Sequence, residues 1–362
     1  MFEGISGHRP LSVHARSYAP LMVGVLVAAA LAGCGSSKSS SSNTGASSSS
    51  VSSSAAASSG GSSSLSGKKV AIVSGPNSNP WDAVFNKSVQ DTLQSHGASV
   101  SVQGTLDVAT QIQMFNQAVS EHPTLVILEA LDSNAMAAAL EKAKAEGVMV
   151  VNVDGRALPA AAKGLHQVLS DNVALGRFAA ENIVDGLKAQ GRNSGNVAVI
   201  EGTASMLLTQ DRMRGFDAVM AKNPQYKVVS VQDGNWDPVQ SGTIATQLFA
   251  KYGKTGLAGV YGMADYMAIP VITAAKQAGV ALGGKNGLIV SGGNCFKAGI
   301  QAIRAGTMYG TATEDPGTLA KYVGAYTVKL LSGQTVPLTE TIKEARVDKA
   351  DLSQYAAQCS KA

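Results

Sequence analysis

From Lys69 onward, short runs rich in Val, Ile and Leu alternate with longer segments of helical period, and this rhythm leaves few folds open. A strand run, a helical stretch of about 10–15 residues and another strand run make a βαβ unit. Its strands pair in parallel because the helix carries the chain back across the sheet. The runs Val70 to Val73, Val100 to Gln103, Leu125 to Leu128 and Val148 to Val153 form one such series, with helical period over Asp82 to Ser95 and Ala135 to Ala145. A helix beginning near Val173 opens a second series at Val197 to Ile200, Lys227 to Val231, Gly259 to Tyr261 and Leu288 to Val290, with a further helix over Thr243 to Tyr252. A chain of 362 residues exceeds what one core usually organises. The two series are therefore expected to be two lobes of an α/β fold, each a doubly wound parallel sheet.

The first 66 residues follow different rules. Arg9 and Arg16 precede an apolar run from Leu21 to Ala32, too short to span a bilayer as a helix but of the length of a signal-peptide core. The run ends in Leu31-Ala32-Gly33-Cys34, which resembles the lipobox of bacterial lipoproteins. That resemblance implies export, removal of residues 1–33 and lipidation of Cys34, with the protein held on a membrane and facing the periplasm or the cell exterior. Residues 34–66 are almost entirely Ser, Ala and Gly, with too little apolar surface to offset the entropy of ordering. They are expected to be a flexible tether reaching roughly 30 Å.

In a two-lobe α/β body, ligands lie where the carboxyl ends of parallel strands face a crevice, since loops and helix N-termini there present unpaired donors. The residues after the strands are Asn77-Ser78-Asn79-Pro80-Trp81 and Asp154-Gly155-Arg156 in the first series. In the second they are Thr203, Asn235-Trp236-Asp237, Asp265 and Asn294. The sequence holds two tryptophans, Trp81 and Trp236, one in each series. An indole face suits the C–H face of a sugar ring while amides and carboxylates suit its hydroxyls; the alternative is a place in the core. Arg156 and Arg212 each offer a planar fork of donors, either to a ligand or to a surface or interlobe salt bridge.

These pieces, taken in order, are similar to one family. Asn79-Pro80-Trp81, the strand Val150-Val151-Asn152-Val153-Asp154 with Arg156 behind it, Ser170-Asp171-Asn172 before Gly176, and Arg212 three residues before Gly215-Phe216 resemble the type I, ribose- and galactose-type periplasmic binding proteins. The likeness runs from Lys68 to about Thr341. It implies hydrogen bonds to a sugar from Asn79, Asp154, Arg156 and Arg212, stacking by Trp81 and Trp236, and roles for Asp265, Asn294 and Glu314 at the late positions. It departs from the family where Gly155 separates Asp154 from Arg156, where Ala264 replaces an Asn, and where Glu314 replaces a glutamine. Glu314 disfavours acidic sugars and leaves neutral sugars, polyols or an amine-bearing ligand open. The resemblance also implies three interlobe crossovers, near Asp171, near Glu314 and after Pro337. The lobes would then be 67–171 plus 315–340, and 172–314 plus 341–362.

Two cysteines remain, Cys295 and Cys359, and in an exported chain such a pair reads first as a disulfide, otherwise as two buried thiols. The stretch Gly61 to Lys69 has the wrong spacing for a phosphate loop, and no Gly-x-Ser-x-Gly elbow or Gly-x-Gly-x-x-Gly fingerprint occurs. His96, His122 and His166 lack metal-ligand spacing. Lys and Arg are scattered at a net charge of +4, with no basic block for nucleic acid. The expectation is a monomeric binding protein with neither catalysis, metal nor cofactor. Its partners would be a monosaccharide or polyol, the permease of an ABC importer, and the membrane that holds its anchor. A receptor domain for chemotaxis or sensing is the other reading.

Overall fold

The computed structural model describes residues 64–158 and 163–359. The expected signal segment, Cys34 and nearly all of the tether lie outside them. Leu65, at the tether's expected end, is already part of the body: it is buried in the first core, and its N–H donates to His96 O at 2.7 Å.

The first series runs β1 (Lys69–Ser74), α1 (Pro80–Ser95), β2 (Ser99–Gly104), α2 (Val108–Ser120), β3 (Leu125–Leu128), α3 (Ala137–Ala145), β4 (Met149–Asp154) and β5 (His166–Ser170). The second runs α4 (Asn172–Ala189), β6 (Gly195–Glu201), α5 (Leu207–Met220), β7 (Tyr226–Asp233), α6 (Pro238–Tyr252), β8 (Gly259–Gly262), α7 (Asp265–Gln277), β9 (Ile289–Ser291), α8 (Lys297–Arg304) and β10 (Gly310–Ala312). The chain then returns to the first sheet through α9 (Pro316–Leu331) and β11 (Thr339–Ile342), and to the second through β12 (Arg346–Asp348) and α10 (Leu352–Cys359).

The sheets are ordered β11-β5-β4-β3-β1-β2 and β12-β10-β9-β8-β6-β7. Every pairing is parallel except that of β12 with β10. In both sheets the order reverses beside the first strand of the series, which opens a crevice at the carboxyl ends. Helices cover both faces, so the central strands are apolar throughout: all four residues of β3 and the last five of β1 are buried. One large core and a small cluster of Ala174, Leu175, Phe178 and Ala312 fill the second lobe, while the first has a core on each face of its sheet.

Several helices that begin at the crevice share a start. Asn79 Oδ1 accepts from the N–H groups of Trp81 (2.8 Å) and Asp82 (3.3 Å). Asp237 Oδ1 likewise caps Val239 and Gln240, and in both helices a proline follows the cap, where its missing N–H is harmless. Helices α4 and α5 approach until a Cβ on Gly176 would stand 1.7 Å from Arg212 O, and one on Gly215 1.9 Å from Val173 O. Only glycine permits that approach, which sets Arg212 at the mouth of the second lobe.

The body crosses between lobes at Asp171, at Thr313 to Asp315 and at Lys343 to Ala345. The last two are tied together: Thr313 N–H donates to Ala345 O (3.0 Å), and Ala345 N–H donates to Thr313 Oγ1 (2.8 Å). The sequence reading did not mark β5, β10, β11 or β12, and β11 extends the first sheet to Ile342, past the expected limit at 340. Cys295 and Cys359 are joined by a disulfide with Cα atoms 4.9 Å apart, which fastens α10 to the loop before α8.

Candidate functional site

Between the lobes the chain leaves a small cavity of about 30 Å³, well below the roughly 300–1,000 Å³ of small-ligand sites, so the lobes must part to admit a solute. Its walls come from the segments that follow β1, β2, β3 and β4 on one side and β6, β7, β8 and β9 on the other. Several of these segments are held in a conformation that non-glycine residues rarely adopt. Asp154 (φ 60°), Asn235 (φ 52°), Trp236 (φ 53°), Asn294 (φ 77°) and Cys295 (φ 53°) all lie in the left-handed region. Such backbone persists where the surroundings over-determine it, and it gathers at ligand sites.

The two indoles stand in opposite walls. Trp81 is backed by Phe85, ring centroids 5.0 Å apart, and its N–H donates to Glu314 Oε1 at 3.0 Å. Trp236 donates its N–H to Met206 Sδ at 3.1 Å, and the Arg212 guanidinium lies 5.2 Å from its ring centroid. Gly202 makes room for this indole, since a Cβ there would stand 1.9 Å from it. The lobes already touch across the cleft: Asn79 Nδ2 donates to Trp236 O at 3.0 Å and to Tyr266 Oη at 3.3 Å. Asn79 thus caps α1 with its carbonyl and reaches the opposite wall with its amide.

Arg212 organises the polar floor. It is 1% exposed, and its three nitrogens donate to Asn172 Oδ1 (2.8 Å), Met263 O (3.1 Å) and Glu314 Oε2 (3.3 Å). Asn172 in turn donates to Asp154 O at 3.1 Å and to its Oδ1 at 3.5 Å, so one residue at the first crossover links the acid of one lobe to the guanidinium of the other. Asn294 Nδ2 donates to Glu314 Oε2. Burial works against the charge on Arg212, yet Glu314 and Asp154 hold it firmly protonated. Burial pushes Asp154 and Glu314 upward, and Arg212 opposes the push on both.

A second group of acids faces the cavity from the first lobe. Asp82, in the first turn of α1, is buried and pushed up to about 7 by burial, with the charge of Asp154 adding to the shift and a hydrogen bond shared with Glu129 resisting it. Glu129, directly after β3, is driven well above its ordinary value by burial and then by Asp82. Its Oε2 accepts from Gly75 N–H at 3.5 Å. Asp82 Oδ1 and Asn294 Oδ1 are buried acceptors with no N–H donor among the described residues.

Of the residues singled out from sequence, Asn79, Trp81, Asp154, Arg212, Trp236 and Asn294 line this cavity, and Glu314 sits directly behind it. Arg156 does not line it. Its Nε and Nη2 are engaged by Asp211 of the other lobe at 2.7 and 3.1 Å, the interlobe salt bridge that was the other reading. Asp265 is also withdrawn: fully buried, it accepts from Thr311 Oγ1 (2.7 Å) and Phe296 N (2.8 Å), and so holds the Asn294 loop from behind. Sequence reasoning passed over Asp82, Glu129 and Tyr266, and gave Asn172 no role beyond its place in the resemblance. Glu129 carried a usable signal, because it immediately follows a strand on the crevice side.

The sequence model of the family described as periplasmic binding protein domain matches residues 70–335. Among similar proteins, the D-allose-binding periplasmic protein of Escherichia coli is 27% identical over 80% of this chain and 94% of its own length. The D-ribose/D-allose-binding protein of Pseudomonas aeruginosa is 29% identical over 66% of this chain and 72% of its own. Among solved structures, an ABC transporter solute-binding protein from Actinobacillus succinogenes with bound D-allose superposes with a TM-score of 0.69 at 23% identity, covering 80% of this chain and all (100%) of that one. The Caulobacter myo-inositol binding protein gives a TM-score of 0.71 at 23% identity, covering 82% of this chain and 96% of that one. With a family match over most of the folded body, and the same two-sheet architecture in solved relatives, this chain belongs to the periplasmic binding protein domain family.

Proposed function

We propose that this chain is the extracytoplasmic solute-binding component of an ABC importer, and that it captures a monosaccharide or similar polyol between its lobes. One observation carries the reading: an interlobe cavity whose opposite walls each present an indole, floored by buried amides, carboxyls and a guanidinium. Indole faces match the C–H faces of a sugar ring, and the polar floor matches its hydroxyls. Relatives named for D-allose and D-ribose support that class, as does a solved neighbour named for myo-inositol.

In this reading Asn79, Trp81, Asp154, Arg212, Trp236 and Asn294 meet the ligand. Glu314 and Asp265 hold them from behind, and Arg156 latches the lobes. The body is a binding protein with no reaction of its own, a monomer divided at the three crossovers. The apolar run and Leu31-Ala32-Gly33-Cys34 support export and a lipid anchor at Cys34, which would keep the body near its permease. Ligand binding has only to favour the closed form. A micromolar site supplies about 8 kcal/mol in all, ample if the affinity differs between open and closed forms.

The deciding experiment is a thermal-shift screen of pentoses, hexoses and polyols, since a ligand of the folded state raises the melting temperature by mass action. A true ligand should also change the emission of Trp81 and Trp236, the only tryptophans in the chain. A panel in which no sugar or polyol shifts the melt would remove the proposal.

A further inference from the structure

The carboxyl groups at the cleft outnumber its cations. Asp82, Glu129 and Asp154 line the cavity, Glu314 lies directly behind, and among the described residues Arg212 is the one basic side chain that lines it. Arg212 is already engaged by Glu314, Asn172 and Met263 O. Among the described residues Asp82 and Glu129 have no basic partner, and both carboxyls pack on Gly75, whose N–H donates to Glu129 Oε2 at 3.5 Å and on which a Cβ would stand 2.1 Å from Asp82 Oδ2. Two buried carboxyls in contact cannot both ionise without a counter-charge. Something positive must lie between them, either a proton or a cation brought by the ligand.

The unpartnered atoms point the same way. Asp82 is 5% exposed and Asn294 3%, and the Oδ1 atom of each is buried with no N–H donor among the described residues. Both atoms are acceptors, so the ligand must arrive as a donor at two places. A hydroxyl satisfies Asn294. At Asp82 and Glu129 an ammonium does more than a hydroxyl, because it supplies donors to both carboxylates together with the missing charge.

Resting on the solute-binding reading above, we propose that the solute is a polyhydroxylated molecule carrying a protonated amine, an amino sugar or amino polyol, with the ammonium seated between Asp82 and Glu129. The groups that face this seat are Asp154 at the end of β4, Glu314 on the second crossover, Arg212 on α5 and Tyr266 on α7. Arg212 and Glu314 offset each other, and Tyr266 is pushed upward by burial and stays neutral. The seat therefore keeps its negative character as the lobes close.

Binding an ammonium displaces the proton that the pair otherwise shares, so affinity should rise with pH through the range where that proton is held. A neutral sugar displaces no proton and gains nothing from the same change.

The test uses the full-length chain and matched pairs: D-glucose with D-glucosamine, D-glucitol with D-glucamine, and ribitol with ribamine, each titrated calorimetrically. At about pH 7.5 the amine member of the best pair should bind roughly tenfold tighter or more, as a charged hydrogen bond in place of a neutral one implies. That advantage should shrink toward about pH 5.5, where alkylamines are still fully charged but the carboxyl pair retains its proton. The double variant Asp82→Asn with Glu129→Gln should abolish both the advantage and its pH dependence. If neutral members bind and their amines bind no tighter, this inference is overturned while the sugar-binding reading stands. A preference for amines that survives the double variant also overturns it, since the seat would lie elsewhere. If no member of any pair binds while a neutral sugar or polyol of the wider panel does, this inference is overturned and the solute reading stands; if nothing in that panel binds either, both fail. Should the double variant fail to fold, the pH profile of the unaltered chain decides.

Discussion

Arg212 both lines the interlobe cavity and holds the second lobe together. It is buried, it satisfies Asn172 Oδ1, Met263 O and Glu314 Oε2, and it covers the face of Trp236. Truncation to alanine would strand Glu314 as a buried acid without its counter-charge, a loss of about 3–5 kcal/mol of stability. Arg212→Ala is therefore expected to lower the urea midpoint markedly as well as to abolish ligand binding. Arg212→Lys keeps the charge but not the planar fork that reaches three acceptors at once. It should fold with a smaller loss of stability and bind about tenfold more weakly by calorimetry. A midpoint for Arg212→Ala equal to that of the parent would refute the buried pairing with Glu314.

The helix pair α4 and α5 carries Arg212 into place, and its two glycines were visible in the sequence before their purpose was. Gly176 and Gly215 each sit under a carbonyl of the facing helix, so a methyl group on either must push the helices apart. Gly215→Ala is expected to cost about 1–3 kcal/mol through overpacking. It should weaken ligand binding in the same variant, because Arg212 lies one turn away on the displaced helix. Thermal melts and titration of the variant check both. Strands β1, β3, β4 and β6 were legible because parallel strands buried on both faces read as unbroken apolar runs. Strands β10, β11 and β12, of three or four residues, are too short to carry a period and are recognisable only by what they pair with. The rule that ligands lie beyond strand ends singles out Asn79, Asp154, Trp236 and Asn294, all of which line the cavity. It failed on direction, because spacing does not say that Arg156 turns to Asp211 or that Asp265 turns to its own lobe's backbone. Asp82 escaped because an acid in the first turn of a helix has an ordinary explanation in the helix dipole.

Closing two lobes over a carboxyl-rich floor makes the stability of the whole molecule depend on pH in an uncommon direction. Burial pushes Asp82, Asp265 and Glu344 each up to about 7 and raises Glu129 as well, whereas at Asp154 and Glu314 Arg212 opposes the push. These groups lie on both lobes and at the third crossover, where Glu344 accepts from Thr313 Oγ1 at 2.8 Å. In the unfolded chain such acids titrate near 4. Between about pH 4 and 7 the folded state therefore holds more protons than the unfolded one, and stability falls as pH rises. Their contribution is complete below the unfolded values and is lost as pH passes through about 7. The ligand-free protein should thus melt at a higher temperature at about pH 5 than at about pH 8, the reverse of a protein whose carboxylates are held ionised in salt bridges. Opening the cleft exposes Asp82 and Glu129 to water without unfolding the chain, so alkaline pH should also open the lobes, read as an increase in radius of gyration by small-angle scattering. A melting temperature that rises from about pH 5 to 8, with no change in radius, would mean that these acids are ionised in the closed form and that the cleft already holds the positive charge to match them.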